Sequence, residues 1–401
     1  MAFGGVLAAG GALAAFAQPS AYRPVGDPAL VKDLPSARMY SAPQGIIYKT
    51  ADFNSENVRL TAQWFYASTN EGKKLPTVIM AHGWGATAAN FRDDAVDLAR
   101  AGFLVMLFDY RGWGDSDGRV MLTTGRPPAG GKAAAAQVRE LRGYFDPWEQ
   151  EDDWFNAINF AVTNPMVDAE RIGIRGASES GGEVIYVAAH EPRVKALVSQ
   201  ASRLDLRPPP LPYKLDLATA IADANATAGR IAAGQEPYPA DGARAPGNMV
   251  GAAVGNKVMR WAPLEQADRV NAPVLFVLAE KEEMFSNTDN GVAACDKVKG
   301  PRKTVIVPNA NHNDFYAIQR PAAITLAIDW FDKYLKPAGA PTRIPVIRSA
   351  TPERGDCLPP AKLEIEGLFA GAGGADGNDG KGRGGGGGLT PPPQDSPDRW
   401  N

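Results

Sequence analysis

Two stretches constrain the fold more than any others. "LPTVIMAHG" (75–83) and "GFLVMLFDY" (102–110) are almost uninterrupted apolar runs. A strand exposed on one face alternates apolar and polar residues. A run without that alternation fits a strand buried on both faces, as in a parallel sheet covered by helices. Between the two runs, "NFRDDAVDLARAG" (90–102) carries Phe91, Ala95, Leu98 and Ala99 at helical spacing and stops at Gly102.

The same rhythm continues along the chain. "GIIYKTADF" (45–53) and "VRLTAQWFYAS" (58–68) alternate, as half-exposed antiparallel strands do. Residues 147–164 read as a helix, with Pro147 in the first helical position and acids in the first turns. A short strand (171–176), a helix (181–190) and strands at 194–202, 272–280 and 302–310 follow, closed by an amphipathic helix at 322–335. Strands alternating with helices predict an α/β fold with a mostly parallel central sheet flanked by helices. Residues 119–146 and 203–262 are rich in Pro, Gly and Ala and show little periodicity. Insertions after parallel strands lie over the crevice at the strands' carboxyl ends, so 203–262 is read as a cap insertion in a domain spanning 46–336.

The ends of the chain differ in kind. Residues 18–45 are Pro-rich and read as a linker, and 337–401 form an extension whose segment 366–398, including "GRGGGGGLTPPP", is expected to be disordered. Residues 1–17 carry no charge, and Ala15-Phe16-Ala17 matches the small-x-small rule of signal peptidase. They are read as a signal-peptide remnant, Met1 then being an internal methionine of a longer leader. This predicts a periplasmic or secreted protein, cytoplasmic if the leader is no signal. The stretch is too short and too rich in Gly and Ala for a stable membrane span. A net charge of −3 gives no reason to expect nucleic acid as a partner. Cys295 and Cys357 are the two cysteines, too few for a disulfide framework and without metal-ligand spacing. Two separate thiols is the simpler expectation, with one disulfide open if the protein is exported. No cofactor and no metal are expected.

The chemistry centres on "IRGASESGG" (174–182). Gly176-Ala177-Ser178 follows a strand directly and a helix opens within three residues, the setting in which G-x-S-x-G forms a nucleophile elbow. Here Ser180 replaces the last glycine. Ser178 falls at the tip, and Ser180 in the helix N-terminus, where its hydroxyl could cap. A serine nucleophile needs a base within hydrogen-bond reach. Three histidines are available, His82, His190 and His312. His190 lies at the far end of the helix that Ser178 begins, roughly 15 Å away at 1.5 Å per residue. His82 is read as shaping the "HGWG" loop. His312, past the last strand, comes after the serine and fits the chain order Ser, acid, His. For the acid, "LAEKEEMF" offers Glu280, Glu282 and Glu283. Glu282 has the best reach, with Glu280 expected to leave the strand too early and Glu283 to point away. The oxyanion hole is assigned to the N–H groups of Trp84 and Glu179.

These motifs together resemble the α/β-hydrolase fold from about 46 to 336. "DYRGWGDSDG" and "VDAERIGIRGASESGG" make the chain similar to the dienelactone-hydrolase-like and Xaa-Pro-dipeptidyl-peptidase-like group, and to fungal polyketide transferases and thiohydrolases. The resemblance implies a serine hydrolase acting on a small-molecule ester or thioester through an acyl-enzyme. Two positions depart from the family pattern: Ser180 for Gly, and Glu where Asp is usual. An acyltransferase with the same triad, an Xaa-Pro-type peptidase, or a binding protein on an inactive scaffold are the alternatives. The complete Ser/Glu/His set argues against the last.

Overall fold

The computed structural model describes residues 34–123, 136–207, 217–236, 252–337 and 357. The leader at 1–17, the start of the linker, much of the cap stretch and the Gly-rich tail lie outside the described residues.

Strands β1 (Ile46–Ser55) and β2 (Val58–Ala67) form an antiparallel hairpin. β3 (Leu75–Met80), helix α1 (Arg92–Arg100) and β4 (Leu104–Phe108) then build the first parallel unit. The apolar runs at 75–83 and 102–110 become β3 and β4. Three short strands follow, β5 (Val120–Leu122), β6 (Val138–Glu140) and β7 (Tyr144–Phe145), then α2 (Pro147–Ala161). β8 (Val167–Ala177), α3 (Glu179–His190) and β9 (Val194–Gln200) carry the elbow region. In the insertion lie α4 (Leu217–Ala232), β10 (Ala252–Ala253) and α5 (Gly255–Val258). β11 (Val274–Ala279), α6 (Ala293–Lys297), β12 (Arg302–Val307) and α7 (Arg320–Leu335) complete the chain.

The main sheet has eight strands in the order β1-β2-β4-β3-β8-β9-β11-β12. β2 meets both β1 and β4 antiparallel, and every pair from β4 to β12 is parallel. The expected α/β class and mostly parallel sheet are therefore present.

Alternation along one strand shows why the runs are apolar throughout. Leu104, Met106 and Phe108 pack with Trp154, Ala157 and Ile158 of α2 and Val184 and Ile185 of α3. Val105 and Leu107 face the other way, to Ala95 and Leu98 of α1 and Ile324, Leu326 and Phe331 of α7. Both faces are dry, so neither set of positions tolerates a polar residue. Fully burying each such side chain contributes about 1.5–3 kcal/mol.

Four features were not foreseen. The stretch at 119–146, read as irregular, contains the β5–β6 hairpin, and β7 pairs with β10 of the insertion. The described part of the linker is held in place: Ala37 is buried, with its N–H on Asp115 Oδ2 at 2.5 Å. Cys295 and Cys357 are not separate thiols but form a disulfide, their Cα atoms 5.5 Å apart.

Candidate active site

β8 ends at Ala177 and α3 begins at Glu179, leaving Ser178 alone at the turn with φ 61° and ψ −123°. That conformation is costly for a residue with a side chain. It is held by the Ser178 N–H on the carbonyl of Gln200 (2.8 Å), and by the Ser178 carbonyl accepting from the N–H groups of Gly181 and Arg203 (3.0 Å each). The small residues around it are required by space. A Cβ on Gly176 would stand 2.1 Å from the carbonyl oxygen of Ser180, and one on Gly182 would stand 2.2 Å from that of Arg203. Ser180, by contrast, has room for its hydroxyl. It bonds the Tyr110 hydroxyl at 2.8 Å, and α3 has no side-chain cap. The expected capping role of Ser180 is thus replaced by a tertiary bond, because its side chain turns into the core and not back along the helix.

Ser178, His312 and Glu282 come together. His312 Nε2 lies 2.9 Å from Ser178 Oγ, and its Nδ1 lies 2.9 and 3.0 Å from the two Glu282 oxygens. A carboxylate only accepts, so Nδ1 carries the proton and Nε2 presents its lone pair to the serine hydroxyl. Both side chains of the histidine–acid pair are buried. Phe285 covers the imidazole edge-on, with ring centroids 5.4 Å apart.

The other two acids sit elsewhere. Glu280 is exposed and accepts the Asn309 N–H at 2.8 Å. Glu283 does not simply point away: its Oε2 accepts the backbone N–H of His312 at 2.9 Å. Adjacent residues point to opposite sides of an extended segment, so one takes the ring and the other the main chain. His190 is exposed near the C-terminus of α3, with Nδ1 on the Tyr186 carbonyl (2.8 Å).

The "HGWG" loop lies against the elbow. A Cβ on Gly83 would be 2.6 Å from the Ala177 carbonyl oxygen. His82 is buried within this contact, its Nδ1 bonded to the Gly83 carbonyl (3.0 Å). Burial lowers its pKa to about 4, so it is neutral. Trp84 stacks on Phe145, with centroids 4.0 Å apart. Glu179 opens α3, and the first helical N–H groups have no acceptor inside the helix.

Asp109, Arg111 and Ser116 anchor the loop after β4. Asp109 accepts the N–H groups of Ala88 (2.7 Å) and Asp115 (3.2 Å), and burial raises its carboxyl to about 7. Arg111 bonds Asp153 twice through side-chain nitrogens (2.6 and 2.9 Å). A network that sequence reasoning missed lies beside the elbow. Glu183, one turn after Glu179 on α3, accepts from Tyr110 and from Trp154 Nε1 (3.1 Å), and Glu151 accepts from Trp261 Nε1 (2.6 Å). The available signal was the i, i+4 spacing of Glu179 and Glu183 on a helix with an otherwise apolar buried face. Among the described residues no cluster of three or more His, Cys, Asp or Glu side chains converges as a metal site.

Comparison with known proteins bears on the fold. Residues 56–208 match the family described as X-Pro dipeptidyl-peptidase (S15 family). An uncharacterized 31.7 kDa protein of the traX-finO intergenic region of Escherichia coli is 27% identical over 293 residues, 65% of this chain and 92% of that protein. Thiohydrolase aneE of Aspergillus aculeatus is 30% identical over 125 residues, 31% of this chain and 33% of its own length. The crystal structure of the α/β hydrolase GrgF from Penicillium superposes with a TM-score of 0.52 at 18% identity, covering 72% of this chain and 99% of that one. With the sheet order, the strand–elbow–helix unit and these likenesses in hand, the chain has the α/β-hydrolase fold.

Proposed function

We propose that this hydrolase cleaves carboxylic esters or thioesters through an acyl-enzyme, with Ser178 as nucleophile, His312 as base and Glu282 as acid. The observation that carries the reading is the continuous chain of hydrogen bonds from Ser178 Oγ through the imidazole to Glu282. In the first step Ser178 Oγ attacks the substrate carbonyl carbon while its proton passes to His312 Nε2. The negative charge on the carbonyl oxygen is met by the N–H groups of Glu179 and Trp84. Collapse of the tetrahedral intermediate breaks the bond to the leaving alcohol or thiol, which takes the proton from His312. Water, deprotonated by the same imidazole, then releases the acid and restores the serine. Glu282 holds the ring in the productive tautomer and balances its transient positive charge.

The name of the fungal relative, a thiohydrolase, supports including thioesters. The decisive experiment is labelling with a fluorophosphonate probe, followed by a panel of oxygen esters and thioesters of graded acyl length. Absence of labelling, or no turnover of any ester, would sink the reading. The match to X-Pro dipeptidyl-peptidases favours one further reading, cleavage after proline. A chromogenic Xaa-Pro anilide in the same panel tests it.

We also infer that the protein works outside the reducing cytoplasm. The Cys295–Cys357 disulfide supports this, since such bonds persist in oxidising compartments. The uncharged leader ending in Ala15-Phe16-Ala17 supports it too. N-terminal sequencing of the protein from its host should find a chain starting near Gln18; a chain with residues 1–17 in the cytoplasmic fraction would overturn it.

A further inference from the structure

We propose that Glu179 and Glu183 hold a single proton between them, and that the resulting neutral carboxyl of Glu179 is a positioning device for catalysis, keeping negative charge away from the oxyanion formed at its own backbone N–H. The second half rests on the reading of Ser178 as nucleophile.

The geometry begins with unmet needs. Glu179 and Glu183 are 2% and 0% exposed. Among the described residues no donor reaches either carboxyl oxygen of Glu179, or Oε1 of Glu183. Residues four apart on a helix share one side, so the two carboxyls are neighbours in this dry space. Two ionised carboxylates there would be acceptors without a donor between them and would repel each other. One proton must stand between them, as in pairs of acids that share a buried site.

The surroundings decide which residue carries it. Glu183 Oε2 accepts from the Tyr110 hydroxyl and from Trp154 Nε1. Those donors favour the ionised form of Glu183. Glu179 has no such support, so the proton stays on Glu179 and points to Glu183 Oε1. Burial and then the charge of Glu183 push the Glu179 carboxyl well above the usual carboxylate range. No neighbour cancels this. From α2 comes Glu151, itself raised by burial, with its bond to Trp261 acting against that. From the segment after β4 comes Tyr110, raised by burial and by Glu183, with neutral His82 edge-on at 4.8 Å. From the segment after β12 comes Tyr316, raised by burial, which feels Glu179, Glu282 and Asp94 as well as Arg175. Arg175 is occupied by Asp94 (2.9 Å) and Gln200 (2.8 Å). Among the described residues no Lys or Arg forms an ion pair with Glu151, Glu179 or Glu183.

The consequence for catalysis is local. The N–H assigned to the oxyanion and the carboxyl of Glu179 belong to one residue. Were that carboxyl ionised, it would set a fixed negative charge in a dry site beside the charge that forms during attack, where such repulsion is weakly screened. A proton held on Glu179 removes it at neutral pH.

The test compares wild type, Glu179→Gln and Glu183→Gln on one activated ester. Wild type should lose kcat on the alkaline side, by about tenfold or more, as the shared proton leaves. Glu179→Gln mimics the protonated form, its amide donating to Glu183. It should lose the alkaline fall that wild type shows. Glu183→Gln removes the charge that holds the proton, so the fall should move to lower pH. An independent readout is the infrared C=O stretch of protonated carboxyls at pH 8, which should lose the Glu179 component in Glu179→Gln while any Glu151 component stays. This readout needs no turnover, so a variant that fails to fold leaves wild type and Glu183→Gln to decide. An alkaline fall unchanged in Glu179→Gln, or an infrared C=O stretch at pH 8 that is the same in wild type and Glu179→Gln, overturns the proposal. Fluorophosphonate labelling of Ser178→Ala separates the two readings. Persistent labelling there refutes the nucleophile assignment and with it the catalytic role of Glu179, while the infrared band alone judges the shared proton.

Discussion

Gly83 and Ser178 touch backbone to side chain: a Cβ built on Gly83 would lie 2.9 Å from the Cβ of Ser178. Real Cβ atoms do not approach so closely, so the loop bearing Trp84 sits where it does only because residue 83 has no side chain. Gly83→Ala should push this loop off the elbow by a few tenths of an ångström or more. A displacement of about 1 Å at a catalytic group can cost about 10²-fold. We expect kcat to fall tenfold to a hundredfold, roughly, with the melting temperature changed far less. Steady-state kinetics and thermal melts on one preparation check this.

The elbow register is tested by two alanines. Ser178→Ala should abolish turnover and probe labelling. Ser180→Ala should retain most of both, while losing the bond to Tyr110 at a stability cost of about 1 kcal/mol. Urea melts and labelling, run in parallel, read the two effects separately. An inactive Ser180→Ala that still folds would reverse the assignment.

For the acids we expect a graded series. Glu282→Gln removes the negative charge facing His312 Nδ1 and lets the amide favour the wrong tautomer, so it should lower kcat by up to ~10⁴. Glu280→Gln touches an exposed side chain and should cost less than about tenfold. Glu283→Gln keeps an oxygen for the His312 N–H, so it should also stay below about tenfold but above Glu280→Gln. Rates of all three on one activated ester order them.

His82 gives a prediction about acid stability. Its folded pKa, lowered to about 4 by burial, lies below the unfolded value near 6.5. Below pH 6.5 the unfolded chain therefore binds a proton that the folded chain refuses, and stability falls as pH drops. At pH 5 this amounts to about 2 kcal/mol. Asp109, raised to about 7, works in the opposite direction: its folded form resists ionisation, so stability falls as pH rises from about 4 to 7. The wild-type slope is thus muted, and the His82 part is read from the difference between wild type and His82→Gln. Urea melts at pH 7 and pH 5 should show the variant gaining about 2 kcal/mol relative to wild type at the lower pH.

How far the sequence carried the reading depended on whether a signal was local. β3, β4 and β11 were legible because burial on both faces writes itself as a nearly unbroken apolar run. The turn at Ser178 was legible because the constraint falls on neighbours in sequence, Gly176 and Gly182 among them. α4 was missed because "LATAIADANATAGRIA" is built largely of alanine and sits in a stretch rich in Pro and Gly, although its alanines favour a helix. The acids of α2 were misjudged. They were read as complementing the helix N-terminus, which Asp146 in fact caps by accepting from the Trp148 and Glu149 N–H groups. Glu149 also pairs with Arg119, Glu151 with Trp261 and Asp153 with Arg111, partners 30 to 110 residues away, roughly, that no spacing rule reaches. The same holds for Tyr110 on Ser180 and for the disulfide to Cys357.

Glu282 and Glu283 grip one histidine at two points, the ring from one side and the main chain from the other. That double hold depends on their being consecutive, since a shift of one position turns every side chain in an extended segment to the opposite side. The segment between Ala279 and Phe285 is therefore fixed in length as well as in spelling at 282 and 283, and free to vary in spelling elsewhere. Over evolutionary time, substitutions there would be filtered one at a time, whereas a single inserted or deleted codon would disarm the histidine outright.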